Sequence, residues 1–170
     1  MRLDSFIRDV PDFPEPGIIF KDITPLLLNP EAFDAALELM LKPYKQGSVD
    51  KILAIESRGF IFGGAMARKL GCGLVLARKP GKLPWRKISE EYTLEYGTNV
   101  LELHADAISK NERVLIVDDL LATGGTALAA VRLTERLQGR VEGLEFLIEL
   151  DFLKGREKLR EYSIHSQLHY

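Results

Sequence analysis

The sequence predicts an α/β fold with a mostly parallel central sheet flanked by helices. Three observations carry this. Short apolar runs alternate with helical segments along the 170 residues. One run, Arg113 to Val117, is apolar from its second residue on, as a strand buried on both faces requires. A glycine-rich turn follows that strand and opens a helix. The length and the 46% hydrophobic content suit one domain spanning residues 1–170.

Taken in order, Leu3 to Val10 places Leu3, Phe6, Ile7 and Val10 at helical spacing and predicts a short helix. The next segment, PDFPEPGIIFKDITP, predicts a proline-rich loop that is unusual in being apolar. Glu31 to Gln46 predicts a helix, with Asn29 as N-cap, Pro30 at the first helical position and Gly47 as its stop. Lys51 to Ile55 predicts a strand, Phe60 to Leu70 a helix ended by Gly71, and Leu74 to Ala77 another strand. Arg78 to Glu91 predicts a long basic loop, and loops of that length are often lids. Arg86 and Lys87 are expected to form a solvated face. Asn99 to His104 alternates like a strand; Ala127 to Leu137 predicts a helix and Val141 to Leu150 a last strand.

Composition narrows the function. A net charge of -2 is not the footprint of a nucleic-acid binder. Cys72 is the single cysteine, so neither a disulfide framework nor a cysteine-rich metal site is expected. His104, His165 and His169 are not read as a metal-ligand set. Asp4 and Asp9 interrupt the amino terminus where a signal peptide needs an apolar core, and no apolar run reaches membrane-spanning length. A cytoplasmic protein without a membrane partner is the expectation.

Parallel βαβ units bind ligands beyond the carboxyl ends of their strands. Two loops therefore become candidates, Glu56 to Phe60 and Asp118 to Thr126. In VLIVDDLLATGGT (Val114 to Thr126), Gly124 and Gly125 let the backbone approach an anion closely. The following helix offers unpaired N–H groups and a partial positive charge. Thr123 and Thr126 add hydroxyl donors. Together these make a phosphate site. Asp118 and Asp119 would repel phosphate but suit hydroxyls or a cation beside it, and a sugar phosphate supplies both. The bland alternative is a capped helix with two turn aspartates. No G-x-x-x-x-G-K-[ST] run is present, and Gly71 and Gly73 precede a strand, against a dinucleotide fingerprint.

This run resembles the 5-phosphoribosyl 1-pyrophosphate motif of the type I phosphoribosyltransferases. Five more segments, FPEPGIIFKDITPLL (Phe13 to Leu27), ESRGFIFG (Glu56 to Gly63), ARKPGKLP (Ala77 to Pro84), YTLEYG (Tyr92 to Gly97) and LKGREKL (Leu153 to Leu159), are similar to those of adenine phosphoribosyltransferases. They occur in the family's order and cover nearly the whole chain. The resemblance implies the type I phosphoribosyltransferase fold, with a small amino-terminal hood of about residues 1–30 and a flexible lid of about residues 79–96. It implies a purine-salvage enzyme that moves the phosphoribosyl group of phosphoribosyl pyrophosphate to adenine, giving AMP and pyrophosphate, and it implies a homodimer. Magnesium (Mg2+) would arrive with the pyrophosphate, bound by no protein group directly and near Asp118 and Asp119 through water.

The same resemblance distributes roles. Ala122, Thr123, Gly124, Gly125 and Thr126 would hold the 5-phosphate, and Asp118 and Asp119 would face the ribose. Ser57, Arg58, Arg78, Lys79 and Lys82 would take pyrophosphate; the planar, permanently charged Arg58 suits its oxygens. A non-proline cis peptide is implied at Glu56–Ser57. Phe20 would give adenine a ring face, and Ile19 and Lys21 backbone groups; the family often has arginine where Lys21 stands. Glu95 would accept the adenine proton near N7 as general base, with Tyr96 beside it facing phosphate or lid. The alternatives are a transferase for another nucleobase and a non-catalytic phosphoribosyl pyrophosphate sensor of the same fold. The hood argues for adenine, and no basic helix-turn-helix is present to serve a sensor.

Overall fold

The apolar run around Val114 does form the middle of a parallel sheet. In the computed structural model, which describes residues 2–94 and 97–170, the chain divides into two units, Met1–Leu39 and Met40–Tyr170. The expected hood falls within the first of them.

In the first unit a 3-10 helix, Leu3–Phe6, leads into β1 (Arg8–Pro11), β2 (Ile19–Asp22), α1 (Thr24–Leu28) and most of α2 (Pro30–Leu41). The helix expected over Leu3 to Val10 is therefore only its first turn, and the expected loop contains a strand. β1 and β2 pair antiparallel, with Arg8 opposite Asp22 and Asp9 opposite Lys21. Both pairs are ion pairs, Arg8 Nη2–Asp22 Oδ2 at 2.6 Å and Lys21 Nζ–Asp9 Oδ1 at 2.7 Å. Such cross-strand pairing is invisible to a reading of local period. The connecting turn is closed by the Asp12 carboxylate, which accepts the Gly17 N–H at 2.7 Å. Asn29 caps α2 as expected, its Oδ1 accepting the Ala32 N–H at 2.9 Å. The helix stops at Leu41, well before Gln46, because Pro43 bars the residue before it from helical geometry and has no N–H to give.

The second unit holds β3 (Lys51–Ile55), α3 (Gly59–Leu70), β4 (Gly73–Ala77), β5 (Lys87–Leu94), β6 (Gly97–His104), β7 (Arg113–Leu121), α4 (Gly125–Arg136), β8 (Arg140–Glu149) and β9 (Ile164–His169). Two 3-10 turns, Asp151–Leu153 and Gly155–Leu159, join β8 to β9. The five-stranded sheet has the order β4-β3-β7-β8-β9 and is parallel throughout. On one face Leu53, Ile55, Ile116, Leu144 and Phe146 pack with Ala127, Ala130 and Val131 of α4. On the other, Gly63 of α3 comes so close to β3 that a Cβ there would lie 2.5 Å from the Ala54 methyl. β5 and β6 form an antiparallel hairpin tied to α4, where Arg132 and Arg136 each reach Glu90 at 3.2 Å.

Three departures matter for function. β7 continues through Asp118 and Asp119 to Leu121, so both carboxylates sit in the strand. Lys87–Leu94, expected as the end of a loop, is a strand. β9 was not anticipated: as an edge strand it carries only two apolar residues, Ile164 and Leu168, and lacks the continuous apolar run of β7. Among the described residues no helix is long and apolar enough to cross a membrane.

Candidate active site

The chain steps from β3 outward to β4, then returns to lay β7 on β3's other side. Strand order thus reverses between β3 and β7, and a crevice opens beyond their carboxyl ends. The two loops singled out in the sequence meet there.

The loop after β7 wraps a cavity of about 110 Å³, lined by Asp118, Ala122, Thr123, Gly124, Gly125 and Thr126 with apolar neighbours including Phe146. Gly124 takes φ +80°, a left-handed value that a side chain would resist. It is the N-cap of α4, and no side chain caps that helix. The first N–H groups of α4 are therefore left for a ligand, and the helix dipole favours an anion.

A larger cleft, about 390 Å³, adjoins it and shares Asp118, Leu120 and Thr126. Its walls include Glu56, Ser57, Arg58, Lys79, Tyr92, Asn99 and Asp119. The Glu56–Ser57 peptide is cis, as expected, and a second cis bond precedes Pro14. Arg58 Nε meets Asp119 Oδ2 at 2.6 Å. Asp118 is half-buried, and its carboxyl is held well above the usual carboxylate range, first by desolvation and then by the charge of Asp119. Two adjacent carboxyl groups, one of them held high, suit sugar hydroxyls, which can both donate and accept.

Residues 23–146 match the phosphoribosyl transferase domain family. The adenine phosphoribosyltransferase of Thermosipho melanesiensis is 56% identical over 170 residues, which is 100% of this chain and 97% of that protein. The chain belongs to the adenine phosphoribosyltransferases. The crystal structure of the family member from Rhodothermus marinus superposes with a TM-score of 0.94 at 52% identity, covering 99% of this chain and 96% of its own. The Saccharomyces cerevisiae adenine phosphoribosyltransferase, crystallised with an imino-altritol bisphosphate and adenine, gives 0.91 at 40% identity, covering 98% and 96%.

Within this adenine phosphoribosyltransferase fold, Ser57, Arg58, Lys79, Asp118, Asp119 and Thr126 come together around one cleft. Arg78 and Lys82 are not among its walls. Arg78 lies over the Phe60 ring, 5.8 Å from its centroid, and its Nε is 3.3 Å from Glu56 Oε2. Glu56 also accepts the Lys79 N–H at 2.9 Å. Burial works against the Glu56 charge, but the Lys79 N–H and the Arg78 guanidinium outweigh it and hold the carboxyl below its ordinary value. Lys82 is exposed. Lys87 is exposed, as expected, but it is not only solvated: its Nζ is 2.8 Å from the buried Glu102 carboxylate, which costs too much to leave unpaired. Tyr92 and Asn99, opposite one another on the β5–β6 hairpin, are cleft residues that the sequence reading missed. For Tyr92 the signal was its two-residue spacing from Glu90 and Ile88, hidden inside a segment read as a lid, whereas Asn99 opened a segment already read as a strand. Glu95 and Tyr96 lie outside the described residues.

In the first unit Phe20 stacks edge-on against Phe13, ring centroids 5.2 Å apart. Ile18 and Ile19 are 45% and 56% exposed, so this stretch is not ordinary core. β2 pairs with β1 in a two-stranded sheet. Ile19 and Lys21, two apart, point their backbone groups to the same side. The Lys21 ammonium is held by Asp9.

For a divalent cation the adjacent carboxylates of Asp118 and Asp119 are the fitting pair, since a positive charge would relieve the repulsion that raises Asp118. Among the described residues one trio has ligand spacing, Glu149, Asp151 and His169. Glu149 is already committed to Arg156 and to the Ser166 hydroxyl, and His169 Nδ1 to Asp151 at 2.9 Å. His165 and His169 stand four apart, a spacing that pairs ligands on a helix. On strand β9 it separates them by about 13 Å.

Proposed function

We propose that the two adjoining cavities hold phosphoribosyl pyrophosphate while the enzyme transfers its phosphoribosyl group to adenine, giving AMP and pyrophosphate. The observation that supports this most directly is an uncapped helix N-terminus, with Gly124 and Gly125, opening into a cavity that adjoins a cleft carrying both cations and carboxylates.

The 5-phosphate rests on Ala122 to Thr126, receiving backbone N–H groups and the Thr123 and Thr126 hydroxyls. Asp118 and Asp119 take the ribose hydroxyls. Ser57, Arg58 and Lys79 contact pyrophosphate, with Arg78 and Lys82 as outer cations of the same site. In the reaction the bond from C1′ to the pyrophosphate oxygen breaks, its electrons leaving with pyrophosphate, and a bond from adenine N9 to C1′ forms. Positive charge develops at C1′ meanwhile, and the carboxylates beside the ribose stabilise it. Glu95 accepts the proton adenine must lose. Phe20 supplies the ring face for the base, with Ile19 and Lys21 giving backbone hydrogen bonds. Magnesium, carried in by pyrophosphate and met by Asp118 and Asp119 through water, would neutralise leaving-group charge. We also infer a cytoplasmic homodimer; the outward-facing Leu74 and Leu76 on the edge strand β4 favour association.

One assay tests the reading: adenine, phosphoribosyl pyrophosphate and magnesium are mixed with the protein and AMP is followed. Binding without AMP would point to a sensor, and product only with another base to a sibling transferase. Glu95→Gln should lower turnover while phosphoribosyl pyrophosphate affinity stays within about twofold, since the base acts on the proton and not on that substrate. Unchanged turnover would remove Glu95 from the mechanism.

A further inference from the structure

The phosphate loop has a back as well as a front. Behind it runs the 3-10 turn Gly155–Leu159, which has no part in the chemistry above. A Cβ built on Gly124 would lie 2.5 Å from the Gly155 carbonyl oxygen. A Cβ on Gly155 would overlap the Ala122 carbonyl oxygen and sit 2.9 Å from the Gly124 nitrogen. The two backbones therefore touch with no side chain between them. Gly124 needs glycine for its positive φ as well. Gly155 does not: its φ lies outside the left-handed region, so its own conformation would accept alanine. Only the contact with the loop forbids a side chain there.

The turn that carries Gly155 is itself fixed. Arg156 forks onto Glu149, Nε to Oε1 at 3.0 Å and Nη2 to Oε2 at 2.5 Å, and its Nη1 donates to the Ile164 carbonyl at 3.0 Å. Leu159, at the far end of the turn, is fully buried in the core that α4 covers. Glu149 ends β8 directly opposite Leu121, the last residue of β7 before the loop. The Leu150 N–H then donates to the Leu121 carbonyl at 3.0 Å. Loop and turn thus spring from the same pair of strand ends.

We propose that Gly155, fixed by the Arg156–Glu149 fork, is a positioning residue that sets the Ala122–Gly124 backbone for the sugar 5-phosphate. An anion cradle made of N–H groups loses much of its grip when displaced by a fraction of an ångström. A methyl group at position 155 must push Ala122 and Gly124 toward the cavity. This rests on the assignment of that cavity to the 5-phosphate.

The test is calorimetric titration of Gly155→Ala, Arg156→Gln and Thr126→Val with ribose 5-phosphate and, separately, with pyrophosphate, alongside Tm. Gly155→Ala is expected to weaken ribose 5-phosphate about tenfold or more and pyrophosphate by less than about twofold, with the KM for phosphoribosyl pyrophosphate rising more than kcat falls. If Gly155→Ala binds ribose 5-phosphate normally while Thr126→Val does not, the positioning role is wrong and the phosphate assignment stands. Normal binding by Thr126→Val removes the phosphate assignment and the positioning role with it. If Gly155→Ala does not fold, Arg156→Gln decides. Selective loss of ribose 5-phosphate supports the role, and equal loss of both ligands with a lower Tm overturns it.

Discussion

Strand β8 carries two buried glutamates four residues apart on one face of the sheet, and the protein treats them in opposite ways. Glu149, 4% exposed, stands at the carboxyl end of the strand. Burial alone would raise it, but the Arg156 fork and the Ser166 hydroxyl overcome burial and hold it below its ordinary value. Glu145, fully buried in the middle of the strand, is pushed up to about 8 by desolvation. Its partners are weaker: the Gln167 amide donates to Oε1 at 2.6 Å, Tyr44 is close, and His165 Nδ1 is 3.5 Å from Oε2. Burial and the Glu145 carboxylate push the Tyr44 hydroxyl up in turn. The lesson is positional. At the carboxyl end of the sheet Glu56, Asp119 and Glu149 each have an arginine, whereas the middle keeps its carboxyl neutral. Asp118 breaks the pattern: it lies toward the carboxyl end of β7 yet is held high. In our reading a substrate hydroxyl or hydrated cation completes it.

The largest expected effect tests that reading. In that reading Asp119→Ala removes a sugar ligand together with the Arg58 ion pair, and kcat/KM should fall about 10²–10³-fold, roughly 3–4 kcal/mol of transition-state stabilisation. Asp118→Asn should follow in direction. Steady-state kinetics with circular dichroism to confirm folding measure both. Activity within threefold of the parent would place these aspartates with Glu145, as groups the fold tolerates and the chemistry ignores.

Next comes Glu145→Gln. Between pH 4.5 and about 8 the folded state holds a proton on Glu145 that the unfolded chain has released. Stability from this group therefore falls as pH rises through that window. The groups facing it, Tyr44, His165 and Gln167, offer no permanent positive charge. Glutamine should raise stability by about 1–3 kcal/mol at pH 8 and flatten the slope between pH 5 and pH 8. Urea unfolding at several pH values reads both quantities. A destabilised variant at pH 8 would mean that the Glu145 carboxyl is ionised and held by its neighbours, against this reading.

Glu149→Gln sharpens the contrast from the other side. Its folded value is depressed, so the stability it contributes is present above pH 4.5 and is lost as pH falls through the folded value. Glutamine should cost about 1–2 kcal/mol at pH 8, where Glu145→Gln gains. It should make the protein less sensitive to acid below pH 4.5. Opposite signs for two like substitutions on one strand would show that partners, not burial, decide.

How far the sequence shows this depends on range. The β3, β7 and α4 elements and the Gly124–Gly125 loop are local: apolar run, glycine pair and helix start lie within a few residues of each other. Asn29 announced its own cap. The β1–β2 hairpin, β9 and the cleft roles of Tyr92 and Asn99 depend on pairing between segments, which no local period records. Gly155 is the clearest case. Its motif was visible, but what a glycine there is for appears only when its backbone is found against Ala122. The high Asp118 and Glu145 values likewise come from what surrounds them, and an isolated D-D or E-x-x-x-E carries no hint of it.

The smallest effect asks how much of the Glu149 contrast belongs to arginine alone. The Ser166 hydroxyl donates to Glu149 Oε2 at 2.7 Å and lies 3.4 Å from Arg156 Nη2. Ser166→Ala deletes that donor and leaves the fork in place, so the carboxylate keeps its charge partner and loses one hydrogen bond. The expected cost is about 0.5–1 kcal/mol at pH 8, with the acid limb of the stability curve moved slightly to higher pH because Glu149 is less depressed. Ribose 5-phosphate affinity should stay within about twofold, since Arg156 still fixes the turn packed against the Ala122–Gly124 loop. A larger loss of that affinity would show that the hydroxyl aligns the fork, and that Glu149 differs from Glu145 by a network of three groups rather than by one cation.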